Sequence, residues 1–243
     1  MISKIFKIRE ERFVKKIDVW SAIFFIDPLA IPLTKLLHKT RITPNQVSIS
    51  TVIFSLLAAF FFVSNQKCMG GALFYVGYLL DYTDGKLARL RGTQSEFGKK
   101  LDAVCDHFNK LIVFLALSYS QFYILGGSRI LILGLILISI HYLLHLIHRI
   151  LLIKNTYKGY PGYREVLIFK KDLGERFIKK GFLPSLYSYA DEKFLFFVIA
   201  PVFGIFRQFL IISLFLSLMF KVLPEIILLL SKKKLAELHL YKI

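Results

Sequence analysis

Residues 81–106 read DYTDGKLARLRGTQSEFGKKLDAVCD, and this charged stretch lies between the apolar runs 69–80 and 111–125. Its four aspartates form two pairs: Asp81 with Asp84, three residues apart, and Asp102 with Asp106, four apart. On helices, each pair shares one face. The stretch therefore predicts two adjacent membrane helices whose ends bring four carboxylates together at the membrane boundary.

The rest of the chain is also rich in apolar runs. Of its 243 residues, 56% are hydrophobic, and the mean hydropathy is +0.58. A membrane-spanning helix needs roughly 20 mostly apolar residues. Further runs cover residues 47–64, 130–153 and 194–230, the last with a break near Pro201 and Gly204. We predict an all-α integral membrane protein with six transmembrane helices, which form a catalytic domain over residues 47–231.

The two ends of the chain are predicted to lie outside the spans. Residues 1–46 indicate a cytoplasmic or interfacial lead-in, with an amphipathic helix that begins near Pro32 and lies in the headgroup plane. Its apolar stripe consists of Leu33, Leu36 and Leu37. The sequence Thr43-Pro44-Asn45 marks the turn into the first span. Residues 232–243 form a basic cytoplasmic tail.

The formal net charge of +17 follows the predicted topology. Lysines and arginines cluster before, between and after the apolar runs, so the positive-inside rule places both termini and the loop 82–97 in the cytoplasm. The acidic site then faces the cytoplasm. In a prokaryotic cell the protein would lie in the inner membrane. This distribution indicates the lipid bilayer, rather than nucleic acid, as the partner of the basic residues.

Four converging carboxylates need positive charge, because they repel one another in a partly dry site. All-oxygen ligands suit Mg²⁺, Mn²⁺ or Ca²⁺ better than zinc. Two such ions can clamp a diphosphate, and a neighbouring carboxylate can take a proton from an attacking hydroxyl. The small residues Gly85, Ala88 and Gly98 either allow close helix packing or leave room for a base or phosphate. Arg89 either reaches the interface or meets a phosphate.

The pattern D-x2-D-G-x2-A-R-x8-G-x3-D-x3-D over residues 81–106 resembles the signature of the CDP-alcohol phosphotransferase (CDP-alcohol phosphatidyltransferase) family. Every fixed position of that signature is present. The resemblance implies that two Mg²⁺ or Mn²⁺ ions are bound by Asp81, Asp84 and Asp102 together with Asp106, which also acts as general base. It implies a CDP pocket at Gly85, Ala88, Arg89 and Asn45, CMP as leaving product, and a homodimer.

The substrates remain open at this point. A CDP-diacylglycerol donor with a small alcohol acceptor would make the protein a phospholipid synthase; alternatively, a CDP-alcohol is joined to a polar phosphorylated acceptor such as inositol phosphate. His148, Arg149 and Lys154, near the cytoplasmic end of the fourth predicted span, are candidates to bind an acceptor phosphate. Two other classes also use acidic membrane sites, namely membrane prenyltransferases and cation transporters.

Overall fold

The computed structural model describes residues 13–15, 18–125, 132, 136 and 189–217. Within these ranges the chain forms helices and turns without a β-strand, as the all-α prediction requires. The elements are, in order, a π-helical turn (Ala22–Ile26), α1 (Asp27–His38), α2 (Pro44–Val63), α3 (Lys67–Arg91), α4 (Glu96–Leu125), α5 (Tyr189–Phe194), a second π-helical turn (Leu195–Ile199), α6 (Ala200–Val202) and α7 (Phe206–Ser217).

Helix α2 begins where the sequence predicts the turn into the first span. The hydroxyl of Thr43 accepts a hydrogen bond from the backbone N–H of Gln46, and the Gln46 side chain accepts one from the Thr43 N–H at 2.8 Å. Pro44 follows the cap, where a helix needs no N–H donor. Of the helices described, α2 alone is long and apolar enough to cross a membrane. The count of six spans stays a prediction.

Helix α2 packs along both α3 and α4. Close approach to α3 depends on glycine: a Cβ on Gly77 would lie 3.1 Å from the Cβ of Phe54, and one on Gly70 would lie 2.6 Å from the ring of Phe62. On the α4 side, the amide of Asn109 donates a 2.8 Å hydrogen bond to the hydroxyl of Thr51. Small residues and buried polar pairs are typical of helix contacts in membranes, and here they hold α3 and α4 to one central helix.

The segment from α5 to α6 connects α3 and α4 on a second side. Phe196 stacks on Phe114 of α4 with ring centroids 5.5 Å apart, and Phe197 lies 4.9 Å from Phe74 of α3. These four rings are almost completely buried. Burial of large aromatic side chains is a major source of stability, so this cluster fixes the residues just before it, including Lys193, between the two acidic helices.

The lead-in helix starts earlier than predicted. Helix α1 continues the helical backbone of the π-helical turn before it, and both Pro28 and Pro32 lie inside this helical segment, which begins near Trp20. Pro32 therefore does not start the helix, although proline is common in a first helical turn. The missing N–H of Pro32 costs the helix one hydrogen bond, to Pro28, without ending it. Ile31 is buried, whereas Leu36 of the predicted stripe is 62% exposed. The interfacial position of this helix is not tested.

Arg91, the last residue of α3, holds the connection between α1 and α2. Its guanidinium donates hydrogen bonds to the backbone carbonyls of Leu37, Thr40 and Ile42, at 2.6, 2.8 and 2.5 Å. These carbonyls belong to the end of α1 and to the linker after it, and that of Leu37 also accepts from the N–H of Thr40 at 3.0 Å. The contact joins the lead-in to the end of the helix that carries Asp81 and Asp84.

The helices that carry the four aspartates are longer than the apolar runs from which they were predicted. Helices α3 and α4 continue well beyond residues 69–80 and 111–125, so the acidic stretch is itself helical except for a short linker. The predicted break in the last apolar run lies at Phe203 and Gly204, where Gly204 adopts a φ of +68°. Most of the predicted span 130–153, most of residues 155–192 and all of the tail 232–243 fall outside the described residues.

Candidate active site

One cavity of about 510 Å³ lies beside the charged ends of α3 and α4. Helical spacing turns Asp81 and Asp84 of α3, and Asp102 and Asp106 of α4, toward it. The other charged or polar groups around it come from α3, α4, α5 and the lead-in. Those lining residues are Lys15, Asp18, Tyr78, Tyr82, Lys86, Arg89, His107, Lys110, Glu192 and Lys193. The four carboxylates singled out by the sequence therefore share one cavity.

Asp84 is the most deeply buried of the four, with 4% of its surface exposed. Its Oδ2 accepts a 2.5 Å hydrogen bond from the hydroxyl of Ser48 on α2. Burial, with the nearby charge of Asp81, raises the pKa of Asp84 to about 8. Burial also raises the pKa of Asp102, with Asp106 as the next cause. Both carboxyl groups thus resist ionisation unless positive charge is supplied nearby.

Lys193 brings such a charge to the other two carboxylates. Its ammonium donates a hydrogen bond to Oδ1 of Asp106 and lies 3.6 Å from Oδ2 of Asp81. Burial raises the pKa of Asp81 despite this neighbour. For Asp106, burial acts upward, but the charges of Lys193 and Lys110 outweigh it and lower the pKa. Lys193 therefore connects α3 to α4 through opposite charge.

These residues fit a divalent cation in their chemistry. They offer carboxylate oxygens, the ligands that Mg²⁺ and Mn²⁺ prefer, and a positive group already lies between Asp81 and Asp106. Within the described ranges, no three Asp, Glu, His or Cys side chains are gathered closely enough to hold an ion as they stand. Metal binding by Asp81, Asp84, Asp102 and Asp106 thus remains a prediction.

The structure separates the predicted CDP-binding residues into two groups. Gly85 and Arg89 line the cavity, but Ala88 and Asn45 are not among the described residues that do. A Cβ on Gly85 would meet only the guanidinium of Arg89, at 3.5 Å, so this glycine is not required for helix packing. Gly98 differs, since a Cβ there would lie 3.3 Å from Oδ1 of Asn45. The surroundings of Gly85 indicate that it leaves space for a ligand, whereas those of Gly98 indicate that it permits close packing.

Arg89 is held by the lead-in. Its Nε donates a 2.7 Å hydrogen bond to the backbone carbonyl of Phe13, whose ring is buried with Val14 and Ile31 against Leu90. This bond uses one of the five donors of the guanidinium. The side chain is therefore oriented at the cavity wall, as a phosphate ligand would need to be.

A buried ion pair joins α1 to the same part of α3. The ammonium of Lys86 lies 2.9 Å from Oδ1 of Asp27, and at most 3% of either side chain is exposed. Lys86 also lies 4.9 Å from the ring centroid of Tyr82. Asp18 and Lys15 extend the charged wall from the lead-in. Neither this pair nor Lys193 was identified as functional from the sequence. Of the three, only Asp27 interrupts an apolar stretch, which is a recognised signal.

The three candidate acceptor residues, His148, Arg149 and Lys154, lie outside the described residues. Their placement at the site is not tested.

Comparisons with known proteins agree on one family. Residues 41–164, just over half of the chain, match the CDP-alcohol phosphatidyltransferase family. Archaetidylinositol phosphate synthase of Pyrococcus horikoshii is 39% identical over 75 residues, which are 31% of this chain and 40% of that protein. Phosphatidylinositol phosphate synthase of Mycobacteroides abscessus is 31% identical over 106 residues, 43% of this chain and 48% of that protein. The matches thus span less than half the length of these curated relatives.

Solved structures show a similar fold. Phosphatidylinositol phosphate synthase of Mycobacterium tuberculosis, crystallised with CDP-DAG bound, has a TM-score of 0.50 at 17% identity, covering 79% of this chain and 92% of that one. Its apo form has a TM-score of 0.51 at 21% identity. The family match includes all four carboxylates, Gly85 and Arg89. The chain belongs to the CDP-alcohol phosphatidyltransferase family.

Proposed function

We propose that the protein transfers a phospho-alcohol group from a CDP-linked donor to the hydroxyl of an acceptor alcohol and releases CMP. The observation that carries this proposal is the meeting of Asp81, Asp84, Asp102 and Asp106 around one cavity, with Arg89 on its wall. The family match covers these same residues. It favours phosphotransfer over the prenyltransferase and transporter alternatives.

The donor is proposed to be a CDP-linked lipid. Support comes from the M. tuberculosis enzyme with CDP-DAG bound, which shares the fold. Arg89 would pair with the diphosphate, since a guanidinium matches phosphate oxygens well. Gly85, beside it, leaves room for the nucleotide. This assignment makes the protein a phospholipid-synthesising membrane enzyme, and the distribution of positive charge supports a site that faces the cytoplasm.

The acceptor is proposed to be a phosphorylated inositol. Both relatives described above are named as inositol phosphate lipid synthases. A phosphorylated acceptor needs a cation within reach of its phosphate, and Lys193 lies in the cavity beside Asp106. We propose that Lys193 binds the acceptor phosphate during turnover, together with Arg149, Lys154 and His148.

Asp106 is proposed as the general base. It would take the proton from the acceptor hydroxyl, and the acceptor oxygen would bond to the phosphorus that carries the donor alcohol. The bond from that phosphorus to the CMP oxygen breaks, and CMP leaves with the electron pair. Two Mg²⁺ or Mn²⁺ ions, when bound by the four aspartates, would neutralise the diphosphate and stabilise the leaving oxygen.

CMP release by the purified full chain in detergent tests the proposal. The assay crosses Mg²⁺ and Mn²⁺ with a panel of CDP-linked donors and with inositol phosphate, inositol, glycerol phosphate and serine as acceptors. Asp106→Asn should lower turnover by about 10²–10⁴-fold, the usual contribution of a general base. Glu96→Gln is the matched control, because this carboxylate lies on the same helix and is 80% exposed.

The result expected is CMP release that requires metal, inositol phosphate and Asp106. Release with an unphosphorylated acceptor alone would replace the acceptor assignment but keep the reaction. If no pair gives CMP, and a labelled CDP-lipid does not bind, the phosphotransferase proposal is wrong.

A further inference from the structure

Lys193 is placed in the cavity by its neighbours in α5. The carboxylate of Asp191 accepts hydrogen bonds from the hydroxyl of Ser21 at 2.6 Å and from its backbone N–H at 3.2 Å. Glu192 accepts one from the hydroxyl of Ser213 at 2.9 Å. The carbonyl of Ala190 accepts another from the hydroxyl of Tyr78 at 3.0 Å. With the preceding residues held in three directions, the backbone of Lys193 has a defined position.

The side chain of Lys193 then reaches the centre of the acidic site. It is 11% exposed, contacts both Asp81 and Asp106, and lies 5.3 Å from the ring centroid of Tyr78. A pair of carboxylates from two helices would repel in such a buried place. The ammonium offsets this repulsion, so it stabilises the approach of α3 to α4.

The same two carboxylates are the proposed metal ligands. A divalent ion and an ammonium repel each other, and in a poorly solvated site the repulsion at a few ångströms amounts to several kcal/mol. The two cations therefore compete for Asp81 and Asp106. A lysine can leave without a change of backbone, because its charge is carried on a flexible four-carbon stem.

We propose that Lys193 is an internal counter-cation, which holds Asp81 and Asp106 together before the metal binds and is displaced from them by the divalent ion. This inference rests on the proposed metal site. It assigns to Lys193 a positioning function in assembly of the site, which precedes the contact with acceptor phosphate proposed above. It also predicts that the chain needs this lysine most when metal is absent.

Metal affinity and metal-free stability test the inference together. Binding of Mn²⁺ to the full chain in detergent is followed by electron paramagnetic resonance of the free ion, and apparent Tm is measured in chelator. In Lys193→Met, we expect Mn²⁺ to bind about tenfold more tightly or better, since no ammonium has to be displaced. We expect the Tm in chelator to fall, and added Mn²⁺ to raise it by more than in the wild type.

Two variants control for folding and for general electrostatics. Lys193→Gln keeps a polar side chain of similar length and should show the same two effects if Lys193→Met folds poorly. Lys110→Met removes a charge from the same cavity, but from α4 itself rather than from between α3 and α4. Its effect on Mn²⁺ affinity should be several-fold smaller than that of Lys193→Met.

The outcomes separate this inference from the proposed function. Unchanged or weaker Mn²⁺ binding in both Lys193 variants overturns the inference, while metal-dependent CMP release still supports the function. An equal gain in affinity in Lys110→Met also overturns it, because a nonspecific charge effect then explains the result. If no variant and no wild-type protein binds Mn²⁺, both the metal site and the inference are wrong.

Discussion

The ammonium of Lys86 on α3 lies 2.9 Å from the carboxylate of Asp27 on α1, and both side chains are almost completely buried. Breaking a buried pair by removing one partner is more damaging than replacing both. We expect Lys86→Met to lower the free energy of unfolding in detergent by about 3–5 kcal/mol. The double variant Asp27→Leu/Lys86→Met should recover most of this loss. Equal losses in the single and double variants would contradict this view of the pair.

Ser48 links α2 to the acidic site through its 2.5 Å hydrogen bond to Asp84. Ser48→Ala should cost about 1–3 kcal/mol of stability, because a buried carboxylate oxygen loses its donor. It should also lower CMP release, since Asp84 is then less well oriented. Ser50→Ala is the control: that hydroxyl bonds to the carbonyl of Val47 in its own helix. Thermal unfolding and CMP release measure both effects: Ser48→Ala should have the lower Tm and the lower CMP release of the two variants.

Gly70 permits the close contact between α2 and α3. An added Cβ would lie 2.6 Å from the ring of Phe62, which is fully buried. Overpacking of this kind costs about 1–3 kcal/mol, so Gly70→Ala should lower the apparent Tm in detergent. Because Phe62→Leu replaces the ring with a smaller aliphatic side chain, we expect it to be less harmful in the Gly70→Ala background than in the wild type. Additive effects would show that the two sites are independent.

Gly85 should behave in the opposite way. Its added Cβ would meet only the Arg89 guanidinium, at an ordinary contact distance of 3.5 Å. Gly85→Ala should therefore leave the apparent Tm nearly unchanged but raise KM for the CDP-linked donor, by reducing space in the cavity. A fall in Tm without a change in KM would assign this glycine to packing instead.

The features that could be predicted from the sequence depend on residues that are close together along the chain. The cap of α2 at Thr43 and Pro44 and the shared faces of the two aspartate pairs follow from local spacing. The helical segment that includes α1 begins near Trp20, and Pro28 and Pro32 lie inside it. Proline is common in a first helical turn, but that local preference does not show whether the preceding residues are also helical.

The missed features depend on contacts between distant parts of the chain. Lys193 and Asp106 are separated by most of α4 and the whole segment up to α5, and Lys86 meets Asp27 across two helices. No spacing pattern connects such residues. Of these residues only Asp27 interrupts an apolar stretch in the sequence, and which partner each charge would meet depends on how the helices pack.

The hydrogen bonds from Arg91 to the carbonyls of Leu37, Thr40 and Ile42 also set an order of events during synthesis. Those carbonyls leave the ribosome about fifty residues before the guanidinium that binds them, and elongation at 5–20 residues per second makes that interval a few seconds. Helix α2 can form in this interval, but the bend between α1 and α2 cannot take its final shape. The bend between α1 and α2 is therefore fixed only after the last residue of α3 has been made.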